Sequence, residues 1–216
     1  MVHLDRGRRA PAPAGRPWAA GSSVRGGRAP AAPAAAGNVG IVIPLPAPLS
    51  RELESWRASF GDPLAAVVPP HITLISGTAS RDWAVTREHV RAVAAATSAF
   101  TVRLRGTGTF RPVTPVVYLK VADGWEECAG LHRALRSGPL AHDPEYDYHP
   151  HLTMAHDVTE TGMDHAMSVL ADYEAEFAVD KIGLFEHDST GFWALREELH
   201  LGGTGDDGNG RRGRDG

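Results

Sequence analysis

Apolar residues along this chain switch from strand-like alternation to helix-like spacing and back, in the same order twice. GNVGIVIPLP (37–46) reads as a buried strand ended by Pro44 and Pro46. LSRELESWRASFG (49–61) places Leu49, Leu53, Trp56 and Phe60 on one helical face, with Ser50 as candidate cap and Gly61 as stop. VVPPHITLISG (67–77) is again strand-like. The order then repeats. PVVYLKVAD (115–123) predicts a strand. WEECAGLHRALRSG (125–138) predicts a helix with Trp125, Cys128, Leu131 or His132, and Leu135 inward. YHPHLTMAH (148–156) predicts a second histidine-bearing strand. A helix over 80–99 starting at Ser80 and one over 159–176 follow their respective strands. Each leads into an alternating strand, FTVRLRG (100–106) and FAVDKIGLF (177–185). GFWALREELHLG (191–202) predicts the closing strand. The unit β-α-β-α-β thus occurs twice, with a period near 80 residues, and two copies of one unit are expected to pack about a pseudo-two-fold axis.

Composition sets the limits of the folded part. Residues 1–36 are almost entirely Ala, Pro, Gly, Arg and Ser, and the end from Gly202 is rich in Gly and Asp. Neither stretch holds enough apolar surface to offset its ordering entropy, so both are expected to be disordered around a domain spanning 37–201. The whole chain carries −4, the first 36 residues carry +5 and the last fifteen balance, which leaves −9 on the domain. Such a charge disfavours long nucleic acid, whose binding depends on basic residues displacing counterions. No apolar run approaches the length of a membrane span. A single cysteine, Cys128, excludes an internal disulfide framework. A cytoplasmic protein is expected, acting as a monomer without membrane or DNA partners.

Within the repeat, PPHITL and HPHLTM occupy the same place. Side chains at i and i+2 of a strand share a face. His71 therefore projects with Thr73, and His151 with Thr153, while Ile72, Leu74, Leu152 and Met154 point the other way. Two imidazoles titrating near neutrality provide a base and an acid, and two hydroxyls can hold non-bridging phosphate oxygens. A lone strand histidine would be better explained as a hydrogen-bonded core residue. Packing gives no reason to repeat His-x-Thr identically in both halves. The cluster His149, His151 and His156 raises a metal alternative, but His156 falls on the opposite face of a continuous strand, and neither HExxH nor a cysteine pair is present. No cofactor or metal is expected. Cys128, His132 and His165 fall at or near apolar helix faces and are expected to be structural. GTGTF (106–110) has no following helix and is not a phosphate loop.

On these residues, with GIVIPLP, GTFRPVTPVVYLKV and GFWALREELHLG, the chain resembles the two-histidine phosphoesterase superfamily, most closely its 2′-5′ RNA ligase-like branch. The likeness covers about 38–200. It implies an α+β, bilobal fold with two antiparallel sheets forming a central cleft. It also implies metal-independent chemistry on 2′,3′-cyclic phosphates, 2′-5′ linkages or related small cyclic nucleotides, with a small nucleotide or RNA end as substrate. His71, Thr73, His151 and Thr153 are the implied catalytic set. Members of the branch often carry an aromatic residue on the first strand, where this chain has Ile41-Val42-Ile43. Tyr118, on the equivalent strand of the second repeat, and Phe110 are the candidate substrate-binding aromatics. A binding module using the same cleft without turnover is the alternative.

Overall fold

The computed structural model describes residues 38–144, 146–187 and 193–202; the stretches expected to be disordered, apart from Gly202, lie outside them. Eight strands and four helices follow in order: β1 (Asn38–Pro44), α1 (Ala47–Ser59), β2 (His71–Ala79), α2 (Trp83–Ala96), β3 (Phe100–Thr109), β4 (Val116–Asp123), α3 (Trp125–Leu135), β5 (His151–His156), α4 (Glu160–Val169), β6 (Glu174–Val179), β7 (Lys181–His187) and β8 (Trp193–His200).

The strands form one antiparallel sheet in the order β6-β3-β4-β5-β2-β1-β7-β8. This corrects the two-sheet expectation. Four strands flank each side of a junction between β2 and β5, and that junction is registered at a single pair, Ile72 opposite Leu152. Both side chains are fully buried in the core. Both motif strands turn the residue between His and Thr toward the helices. Past that pair, side chains rather than β5 serve β2: His132 Nδ1 donates to Leu74 O (2.8 Å) and Tyr148 Oη donates to Thr73 O (3.1 Å).

The halves exchange elements. α1, between β1 and β2, packs against β5, while α3, between β4 and β5, packs against β2. The last strands cross as well: β3 leaves the first repeat to pair with β4, and β7 returns from the second to pair with β1. The counterpart of β3 is therefore β7, not the start of a single strand over 177–185. That stretch breaks at Asp180, whose carbonyl accepts from Leu201 N (2.8 Å). The break is written in the alternation. Phe177 and Val179 are buried, then the phase slips by one residue and Ile182 and Leu184 are buried.

Helix starts also differ from expectation. α1 begins at Ala47 because Pro46 and Pro48 fit the entry and first turn of a helix; Ser50 lies inside and donates to Glu54 Oε1 (2.9 Å). α2 is capped by Asp82, whose Oδ1 accepts from Ala84 N and Val85 N, while Ser80 bonds Thr86. α4 stops at Val169, so Tyr173 leads into β6 instead of extending the helix. Gly202, placed in the tail by its composition, is held by its N–H donating to Ala94 O (3.2 Å).

All four helices cover one face, over a core including Ile41, Leu53, Ile72, Leu104, Leu119, Leu152, Met154 and Leu184. Each fully buried aliphatic side chain of this kind contributes about 1.5–3 kcal/mol. On the sheet strands, the buried apolar residues Val42, Tyr118 and Phe185 do not belong to that core. They lie across the opposite, helix-free face of the sheet.

Candidate active site

The two motif strands have the same burial sequence. His71 and Thr73 are half-buried with Ile72, Leu74 and Ile75 buried; His151 and Thr153 are half-buried with Leu152, Met154 and Ala155 buried. Because Ile72 faces Leu152 in an antiparallel pair, the flanking residues cross. His71 falls toward Thr153, and Thr73 toward His151. Residues opposite one another in such a pair share a face. The one bridge between the halves thus gathers two imidazoles and two hydroxyls on the helix-free side.

Each histidine is fixed in the same way. His71 Nδ1 lies 2.8 Å from Pro69 O, and His151 Nδ1 lies 2.7 Å from His149 O. A carbonyl only accepts, so Nδ1 carries the hydrogen in both rings, and Nε2 is the nitrogen whose protonation changes. Burial holds both below the ordinary histidine value. The carbonyl bonds partly oppose this. The charges of Arg57 and His151 lower His71 further, and His149 does the same to His151. His71 therefore lies within reach of the charge of the other motif histidine.

Arg57 is a residue the sequence analysis missed. It is buried on α1 and paired with Asp62 (2.8 Å), and its Nη1 donates to Val68 O. Asp62 Oδ1 also accepts from Leu64 N (2.9 Å). This network braces the segment leading to Pro69, the carbonyl that orients His71. The signal was present: Arg57 follows Leu53 by one turn on the apolar stripe. Tyr148 was missed too. Its ring stacks on His132 (4.0 Å between centroids, 5° between planes) while its hydroxyl reaches Thr73 O across the junction.

The second motif is held by rings. His149 stands edge-on to Trp125 (4.8 Å) and contacts Phe110 and Tyr118. It is therefore part of an aromatic cluster. Phe110 and Tyr118 lie 4.5 Å apart and meet His151 at 4.9 and 5.2 Å. Tyr118, opposite Thr153, is only 7% exposed. Its ring lies across Gly108, where a Cβ would come within 2.5 Å of it. Phe110 is half-buried and is the more accessible of the two candidate aromatics.

On the His71 side the equivalent positions are smaller. Val42 sits opposite Thr73 and Pro44 opposite His71, where the other half has Tyr118 and Lys120. Gly183 faces Val42 as Gly108 faces Tyr118, and Phe185 follows it as Phe110 follows Gly108. A hollow of about 200 Å³ results, lined by Val42, Pro44, His71, Phe185, Leu195 and Glu198 among others.

Comparison with known proteins agrees with the fold. Residues 45–191 match the family model described as the 2′-5′ RNA ligase superfamily. The chain belongs to that superfamily, the two-histidine phosphoesterases. Relatives include a Bacillus mycoides (strain KBAB4) protein and a Bacillus cereus (strain G9842) protein, both named "Putative phosphoesterase"; each is 29% identical over 171 residues, covering 76% of this chain and 97% of the relative. Among solved structures, one titled a phosphoesterase aligns with TM-score 0.60 at 22% identity, over 77% of this chain and 99% of the other. Escherichia coli LigT complexed with 3′-AMP aligns with TM-score 0.58 at 20% identity, with the same coverage. No helix among the described residues is long and apolar enough to cross a membrane.

Proposed function

We propose that this phosphoesterase cleaves a phosphodiester of a small nucleotide or RNA end, either a 2′,3′-cyclic phosphate or a 2′-5′ linkage, without a metal ion. The observation that carries this reading is the pair of histidines fixed in the same tautomer on either side of one junction. For a cyclic phosphate, the neutral Nε2 of one histidine takes a proton from the attacking water. The other histidine, protonated, gives its proton to the leaving ribose oxygen as the P–O bond breaks. Thr73 and Thr153 donate to the non-bridging oxygens, where charge gathers in the transition state. The product is a phosphomonoester, and the two histidines have exchanged protonation states. With a 5′-hydroxyl in place of water as the attacking group, the same base and acid open the cyclic phosphate at its 3′-oxygen and join two ends through a 2′-5′ bond. Burial favours the neutral base, and an anionic phosphate in the cleft favours protonation of its partner.

A small substrate suits the domain's net negative charge. LigT complexed with 3′-AMP and with ATP supports a nucleotide. A cytoplasmic location suits the single cysteine: Cys128 is fully buried on α3, with its pKa pushed up to about 12 by burial and by Glu127.

The test is incubation with a 2′,3′-cyclic mononucleotide in excess chelator, beside the His71→Ala/His151→Ala double mutant. Turnover by the wild type alone is expected, and the position of the product phosphate identifies the bond broken. Activity that chelator abolishes would overturn the metal-free mechanism. Saturable binding without product, for cyclic and 2′-5′ substrates alike, would establish a binding module instead.

A further inference from the structure

The chain has two lysines, Lys120 and Lys181. Lys181 is paired with Glu198 at 2.9 Å. Lys120 is exposed, and no hydrogen bond or ion pair engages it among the described residues. Its position in the sheet is well defined. Lys120 lies directly opposite His151, and Tyr118 two residues earlier lies opposite Thr153. Leu119 between them is fully buried among the core residues on the helix side. Lys120 therefore shares the helix-free face with Tyr118, His151 and Thr153. Opposed residues in an antiparallel pair have Cβ atoms about 5 Å apart.

The other half lacks this feature. The residue opposite His71 is Pro44, and the nearby rim carries the carboxylate of Glu198. The two sides of the cleft thus differ in charge. An ammonium with no ion pair among the described residues, on a flexible four-carbon stem, stands beside His151, while a largely apolar hollow and the Lys181–Glu198 pair stand beside His71. In a domain of net −9, that ammonium is a local positive site on the helix-free face, to which a second substrate phosphate is drawn.

We propose that Lys120 forms an anion subsite on the His151 side of the cleft, which receives a second phosphate of the substrate. This deepens the phosphoesterase reading and rests on it. The scissile phosphate lies between the histidines, and the phosphate-bearing continuation of the substrate runs out along β4. Preferred substrates then carry phosphate beyond the ester that is cleaved.

Binding separates this idea from catalysis. The affinities of adenosine 3′-phosphate and adenosine 3′,5′-bisphosphate are measured by calorimetry on the full chain, on Lys120→Ala and on Lys120→Arg. The wild type is expected to bind the bisphosphate about tenfold more tightly, a size typical of one charge-assisted contact. The ratio is expected to fall to near one in Lys120→Ala, to persist in Lys120→Arg, and to shrink as salt is raised. No preference in the wild type, or a preference that Lys120→Ala retains, would overturn the subsite. Turnover of adenosine 2′,3′-cyclic phosphate is followed in the same preparations. The binding pattern without turnover of that substrate or of a 2′-5′ dinucleotide sinks the catalytic reading and leaves the subsite. Turnover without the binding pattern sinks the subsite alone. Failure to bind either probe sinks both.

Discussion

The two halves of the sheet carry the same reactive groups in different surroundings. In one, His71 is oriented by a carbonyl braced by the buried Arg57–Asp62 pair, beside Val42, Pro44 and open space. In the other, His151 is oriented by the same kind of carbonyl but is wedged among Phe110, Tyr118 and His149. What the halves share are the parts symmetric acid–base chemistry requires. They differ where a substrate with two unlike ends must be told which way to lie.

The sharpest test of the shared part removes either histidine. His71→Ala and His151→Ala are each expected to lower kcat by about 10²–10⁴-fold, measured on a cyclic mononucleotide. Near-wild-type turnover in either variant would break the equivalence. Thr73→Val and Thr153→Val should cost less, roughly 10²-fold each in kcat, with binding of the unreacted substrate reduced far less.

The differences call for smaller changes. Val42→Tyr copies the Tyr118 half into the other, over Gly183 as Tyr118 lies over Gly108. Phe185 already leans on Gly183, so the new ring must share the hollow. KM for a cyclic mononucleotide is expected to rise roughly tenfold with kcat nearly kept, because space is lost while the reacting groups stay in place. An unchanged KM would show that the hollow is not used.

The smallest effect is on stability. His71 and His151 lie below the ordinary histidine value mainly through burial, and so does His132, whose buried Nε2 has no hydrogen-bond partner among the described residues. The unfolded chain therefore binds more protons than the folded one between the lowered folded values and about 6.5. Stability should fall as pH drops through that window and level off below it. Urea midpoints at several pH values for the wild type and the two His→Ala variants would show it, each variant having a shallower slope. Equal slopes in all three would place the linkage on other groups.

The motif residues could be read from the sequence because alternation places i and i+2 together without knowledge of tertiary contacts. The helix faces were legible for the same reason: Leu53 and Phe60 are buried as the spacing required, and so are Cys128, Leu131 and Leu135. Sequence alone could not pair the strands across the chain. Nothing in FAVDKIGLF names β1 as the partner of its second part, and only the phase slip at Asp180 marks the break. Single-sheet closure rests on the one Ile72–Leu152 pair, and no local pattern encodes such a long-range backbone meeting. Arg57 and Tyr148 escaped notice because they act on backbone carbonyls of segments they are not adjacent to, and composition is blind to such contacts.

The crossing of α1 onto β5, α3 onto β2, β3 onto β4 and β7 onto β1 bears on how such a chain could arise. A gene holding a single copy of the unit would encode a polypeptide whose first helix and last strand have no docking place within itself. Two such polypeptides would complete each other by mutual exchange, with one histidine from each at the seam. Fusing the copies end to end turns that intertwined pair into one molecule. Each copy is then free to drift separately, and a valine and a tyrosine can come to stand at matching places.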